Sequence, residues 1–306
     1  MATADPLAVA VRFGLYAVLA IVFGVPLFTV YGSADQPAIQ SVRPLVGIGA
    51  ALGLALSLLG LGILAAGMAG VPLAGLDTET LQMVLTMPGI GSAWVVRAAA
   101  LTLLVVAALA IANGRTLSIA AVGLGGAALG SLAFSGHAMM TEGVAGDIHL
   151  IADILHLLAG GAWLGALLAF ALLLARSSRT QAQTDIFAAH LALADFAAVG
   201  MVIVGVLVIT GLVNVWTVIG IANLGLLFTS LYGWLFLGKI ALFVAMLGLA
   251  AANRFRLTPA LVAADGQTTS AALAALRRSI AIEATALLAL LALVAWLGLL
   301  APPAIA

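Results

Sequence analysis

Eight apolar runs, each about 20 residues or longer, make up most of this chain and decide the solvent it folds in. As a helix, a run of about 20 residues spans the hydrocarbon core of a bilayer, and in lipid only helices and closed barrels satisfy every backbone polar group. The runs cover residues 8–30, 44–68, 92–112, 117–137, 148–175, 191–214, 226–252 and 279–300. Of the 306 residues 65% are hydrophobic and 7% charged, against about 25% charged in a soluble domain. A water-facing surface cannot be built from that composition. The expectation is an all-α integral membrane protein: one domain over 1–306, eight transmembrane helices in one bundle, surrounded by a lipid bilayer. The first run lacks a small-residue cleavage site where a signal peptide would carry one, so it reads as a retained helix.

Orientation follows from Lys and Arg. Alternate connections hold Arg43, then Arg115, then Arg176 and Arg179, then Arg254, Arg256, Arg277 and Arg278, which is eight of the eleven basic residues. The opposite connections hold almost none. The basic loops are therefore expected in the cytoplasm, with both termini and the loops at 69–91, 138–147 and 215–225 facing outward. Net charge is zero, and nothing points to nucleic acid. There is no cysteine, so disulfides, thiolate metal sites and iron–sulfur clusters are excluded.

The loop at 69–91 is not an ordinary connection. Thr78 to Met87 reads as a short helix at about 78–88, capped by Asp77 or Thr78 and ended by Pro88-Gly89. It is too short to span and is expected to lie in the interface or to re-enter partway. Met83 and Met87 share one of its faces, either to pack it on the bundle or to offer thioethers to a soft metal. Gly49-x-x-x-Gly53, Gly126-x-x-x-Gly130 and Gly161-x-x-x-Gly165 read as close-packing devices between helices. The polar stretch Asp265–Ser270 reads as a linker within a 253–278 loop.

The chemistry concentrates on one helix, Gly146 to Gly165. His149, Asp153 and His156 fall within roughly 60° of one another on a single face, which Gly160 and Trp163 continue. A carboxylate at membrane depth costs roughly 2.5–3.5 kcal/mol, so such groups face a cavity or a partner. Just before this helix stand His137, Met139, Met140 and Glu142, joined to it by a short hairpin. Three histidines, two methionines and several acids therefore converge on one outward-facing mouth. Imidazole suits both Cu(I) and Cu(II), and thioether suits Cu(I). One reading is a copper site of His137, His149, Asp153 and His156, with Met83, Met87, Met139, Met140 and Glu142 as ligands that capture the ion on its way in. Asp153 would either ligate or orient a histidine. A second reading is haem b in an oxidoreductase or electron-transfer protein, with His137, His156 or both as axial ligands, and a third is a proton relay. Arg97 is available to pair with Asp147 or Asp153. Lys239, Asp195 and Glu283 are three further charges within helices, either paired structurally or lining an exit path. No nucleophile, base and orienting group occur together, so the sequence does not predict an enzyme.

Several segments resemble the copper resistance protein D (CopD) family of bacterial inner-membrane proteins. They are Ser135-Gly136-His137-Ala138, Asp153 to Gly165 with six residues between His156 and Trp163, Tyr232 to Lys239, and Ala252-Asn253-Arg254. The match is best from about 130 to 256. The resemblance implies an eight-helix protein of copper uptake or homeostasis, with His137, Asp153, His156 and Lys239 at family motif positions. It also implies a periplasmic copper-binding partner of the CopC type, expected here as a separate chain. Under this resemblance the outward side is the periplasm.

Overall fold

Each apolar run becomes a helix in the computed structural model, which describes residues 5–32, 42–112, 114–135, 143–180, 183–264 and 268–302. The helices are α1 (Pro6–Tyr31), α2 (Arg43–Ala69), α3 (Thr78–Thr86), α4 (Ile90–Ala110), α5 (Arg115–Gly130), α6 (Gly143–Thr180), α7 (Gln183–Asn214), α8 (Leu231–Ala252), α9 (Thr258–Val262) and α10 (Thr269–Leu297). Eight of the described helices are long and apolar enough to cross a membrane, and no strand occurs among the described residues. The protein is an all-α membrane protein.

α1 and α6 form the centre. α1 packs on α2, α5, α6 and α10, and α6 packs on α1, α7 and α10. Lipid tails are as apolar as leucine, so close backbone approach rather than expulsion of water holds such helices together. Gly24 of α1 meets Gly161 and Gly165 of α6 so closely that a Cβ at Gly24 would overlap the Gly161 carbonyl. The Gly161-x-x-x-Gly165 spacing is thus a packing seam. Around it Leu19, Val22, Phe28, Leu129 and Leu174 are fully buried. At one end of the bundle Arg43 donates from Nε to the Ala108 carbonyl at 2.6 Å and from Nη2 to Leu109 at 3.0 Å. A cation there satisfies carbonyls that the last turn of α4 leaves open.

α3 is the short helix expected at 78–88. Asp77 caps it, accepting from the Thr80 N–H at 2.8 Å. That hydrogen bond holds the fully exposed Asp77 carboxyl below its ordinary pKa. α3 ends at Thr86, so Met87 lies in extended backbone beyond it. Val84, not a methionine, anchors α3 by packing on Leu61 and Ala65, and Met83 is exposed.

Several boundaries differ from the hydropathy pattern. α6 and α7 extend into the expected 138–147 and 176–190 loops, α6 running from Gly143 to Thr180 and α7 starting at Gln183. α5 stops at Gly130 and a 3₁₀ turn follows over Ser131–Ser135. α8 begins at Leu231 rather than 226, because Ser230 caps it by accepting from the Gly233 N–H at 3.1 Å. The expected 253–278 loop is largely helical: a π turn at Asn253–Leu257, then α9, then α10 from Thr269. Arg277 and Arg278 depress hydropathy there, whereas the alanines and leucines of 271–276 favour helix and bury Leu273 and Leu276. Residues 265–267 of the expected linker lie outside the described residues.

Candidate functional site: a polar stripe along α6

α6 carries its histidines and inward aromatic residues at seven-residue intervals. His149, His156, Trp163 and Phe170 follow one another down a single stripe, with Asp153, Gly160 and Leu167 between them. Seven residues are nearly two turns, so successive members lie about 10 Å apart. Three cavities lie against this stripe. The first, about 140 Å³, is lined by His149, Asp153 and His156 together with Asn214, Tyr232 and Lys239. The second, about 310 Å³, runs from His156 and Lys239 past Gly160 to Trp163 and Phe243. The third, about 290 Å³, continues from Trp163 past Phe170 to Asn253 and Glu283. Walls are shared: His156 and Lys239 belong to the first and second cavities, Trp163 to the second and third. α7 packs on α6 and α8 on α10, and the cavities occupy the space these pairs enclose.

At one end, His149 is 1% exposed and its Nε2 stands 3.7 Å from Asp153 Oδ2. Asn214, the last residue of α7, donates from Nδ2 to Asp153 Oδ1 at 2.6 Å. His149 Nδ1 and Asn214 Oδ1 are buried and have no hydrogen-bond partner among the described residues. One turn further in, His156 Nδ1 lies 2.8 Å from Thr210 Oγ1. The Thr210 hydroxyl has one proton, which goes to the Val206 carbonyl at 2.6 Å. Its oxygen therefore accepts from His156 Nδ1–H, and His156 Nε2 is left with a lone pair. A histidine with one nitrogen anchored and the other basic is the form in which imidazole binds metal. Imidazole and carboxylate are each donors of a type that suits copper, but His149 and His156 stand about 10 Å apart along α6 and do not converge on one point.

Lys239 lies within electrostatic reach of Asp153 and His156. It does not pair with Glu283. That carboxylate is 2% exposed and takes hydrogen bonds from Trp163 Nε1 at 2.8 Å and Asn253 Nδ2 at 2.9 Å. Trp163 is itself buried and meets the Phe243 ring edge-on. The far end thus has a second oxygen site, Glu283 with the unpartnered Asn253 Oδ1.

The remaining candidates distribute as follows. Met83 and Met87 line none of the three cavities, and exposed Asp195 is not on the stripe. Arg97 does not supply the expected partner for Asp153: its Nε and Nη1 have no hydrogen-bond partner among the described residues. It lines a different cavity, on α4. His137, Met139, Met140 and Glu142 lie outside the described residues. Among the described residues no three of His, Asp and Glu form a complete metal-binding group. Thr210 and Asn214 were not legible as site residues, because a lone hydroxyl or amide in an apolar run is common and only the fold brings them to α6.

Residues 1–147 match the model of the copper resistance protein D-like N-terminal domain, and residues 190–297 match that of copper resistance protein D. The chain is 40% identical over 308 aligned positions to Copper resistance protein D of Pseudomonas syringae pv. tomato, covering 97% of both chains. It is 32% identical over 260 positions to Copper transport protein CutJ of Bacillus subtilis (strain 168), covering 81% of this chain and 46% of that one. No solved structure is a significant match. The chain belongs to the copper resistance protein D family.

Proposed function

We propose that this protein carries copper ions across the bacterial inner membrane, from periplasm to cytoplasm, along the polar stripe of α6. One observation carries the reading: three adjoining cavities follow that stripe, with His149, Asp153 and His156 at one end and Glu283 with Asn253 at the other. The names of the two relatives, which link those proteins to copper resistance and copper transport, support the choice of ion.

In this reading the His149 end and both termini face the periplasm. What supports it is that Arg43, Arg115, Arg176, Arg254 and Arg277 all belong to the opposite end. His149, Asp153 and His156 take the ion, and His137 from the segment before α6 completes the set. Met139, Met140 and Glu142 in the same segment, and Met83 and Met87 near α3, capture it first. A separate periplasmic copper-binding protein of the CopC type delivers it. Either oxidation state suits these ligands, thioethers favouring Cu(I). Lys239 balances Asp153 while the site is empty and repels an ion that has passed it. Trp163 closes the way to Glu283 and Asn253, which receive the ion on the cytoplasmic side. No step requires bond-making chemistry, so the protein is read as a permease rather than an enzyme.

The alternative is haem b, held by His156, His137 or both. His149 and His156 stand on the same face of one helix and so cannot be its two axial ligands. Metal and haem content of purified protein separates the readings. Copper retained by wild type and lost from His156→Ala, with no Soret band in either, is the expected result. A Soret band abolished by His156→Ala would replace the copper reading with haem.

A further inference from the structure

Arg97 is the least compensated charge among the described residues of the helices. Its side chain is 8% exposed, and Nε and Nη1 have no hydrogen-bond partner among the described residues. It stands in the wall of a cavity of about 390 Å³ between α1, α2 and α4, which shares Arg12, Tyr16 and Leu132 with the cavity of His149 and Asp153. Arg12 lines the same cavity, steadied by Nε donating to Tyr16 Oη at 3.2 Å and Nη1 to the Gly298 carbonyl at 3.1 Å. No Asp or Glu lines it. The remaining donors face elsewhere: the Ser57 hydroxyl gives its proton to Gly53, the Ser135 hydroxyl to Leu132, and the Trp94 indole N–H to Ser57, each at a backbone carbonyl. Two guanidiniums thus share one cavity without a carboxylate.

A buried cation is stable when it is paired, and the guanidinium fork matches the oxygens of a phosphate. The rest of the wall is apolar. Leu64, Met68 and Leu299 contribute to it and are each more than one third exposed, so the cavity opens out of the bundle. Arg97 and Arg12 lie six or seven residues in from the starts of α4 and α1, roughly 10 Å along each helix, within reach of the head-group layer. We propose that Arg97, with Arg12 beside it, binds the phosphate of an anionic phospholipid whose acyl chains lie along the apolar wall of α2. Charge complementarity selects an anion, and the exposed apolar rim selects one that carries a hydrocarbon tail. The lipid site does not rest on the copper reading, although Arg12 also lines the cavity of His149 and Asp153.

Titration of delipidated protein with phosphatidylglycerol, followed by native mass spectrometry, tests the proposal. Wild type is expected to hold one phosphatidylglycerol, and Arg97→Gln to hold it about tenfold more weakly, with Arg97→Lys between them. Gly60→Leu narrows the cavity while leaving both arginines in place, since a Cβ at Gly60 meets only ordinary contacts with Val11 and Leu15. It is expected to weaken lipid binding as well, and it carries the test if Arg97→Gln does not fold. Inorganic phosphate at millimolar concentration is expected not to displace the lipid. Equal lipid binding by wild type and Gly60→Leu would overturn the proposal. So would a site that takes inorganic phosphate and no phospholipid.

Discussion

Asn214 and Asn253 occupy equivalent positions at opposite ends of the bundle. Asn214 is the last residue of α7 and Asn253 the first after α8, and at each the α winding gives way to a π turn. Each donates its side-chain amide to a carboxylate on a facing helix, Asn214 to Asp153 and Asn253 to Glu283. A π turn inserts a residue into the helical register and re-aims its neighbours, and such turns recur at functional sites. Removing either amide strips a donor from an acidic group. Asn214→Leu and Asn253→Leu are each expected to destabilise the protein by about 1–3 kcal/mol, read as a lowered thermal midpoint in detergent. The loss is expected to be larger at Asn253, because Glu283 is fully buried while the Asp153 side chain is 22% exposed.

Thr210 sets the tautomer of His156. Thr210→Val keeps the shape but removes the oxygen that accepts from Nδ1–H. Copper affinity is expected to fall about 10–100-fold, as for other lost partners of metal-binding histidines. Thr210→Ser is expected to stay near wild type. Isothermal or competition titration with a copper chelator reads the difference.

Trp163 divides the second cavity from the third. Trp163→Phe keeps an aromatic wall but takes the N–H from Glu283, a loss of about 1–3 kcal/mol for a buried carboxylate. Copper binding at the His149 end is expected to persist while transport changes. Equilibrium binding beside uptake into vesicles separates the two effects.

Gly24 and Gly165 permit the closest contact in the bundle. Gly165→Val would drive a side chain into the backbone of α1, at a cost of about 3 kcal/mol or more. The expected outcome is loss of folded protein on size-exclusion chromatography, with Gly160→Ala, in open space, as the tolerated control.

Asp77 makes α3 sensitive to acid. Its folded-state pKa lies below the unfolded value because the charged form accepts from Thr80, so its contribution is present above the unfolded pKa and is lost as pH falls through the folded one. Lower amide-exchange protection factors in α3 on acidification, referred to the intrinsic exchange rate at each pH, are expected for wild type. In Asp77→Asn, which keeps the cap without the charge, that pH dependence is expected to disappear.

Much of this architecture was legible in the chain itself. Eight apolar runs and one-sided arginines determine span number and alternation, and the His149, Asp153 and His156 spacing marks one face of α6. Partners from distant helices were not legible. Thr210, Asn214 and Asn253 look like ordinary polar interruptions until α7, α8 and α10 close on α6. Lys239 and Glu283 were open to pairing by depth alone, yet Trp163 and Asn253 occupy Glu283, while Lys239 sits with Asp153. The reading of Arg97 as a partner for Asp153 failed for the same reason, because helical depth gives no azimuth.

Copper uptake into proteoliposomes tests the central claim most directly, with wild type compared to His149→Ala, His156→Ala and the double variant. The account predicts time-dependent accumulation of copper inside wild-type vesicles, reduced at least about tenfold in each single variant, as expected on losing a principal ligand. Undiminished accumulation in the double variant would contradict it.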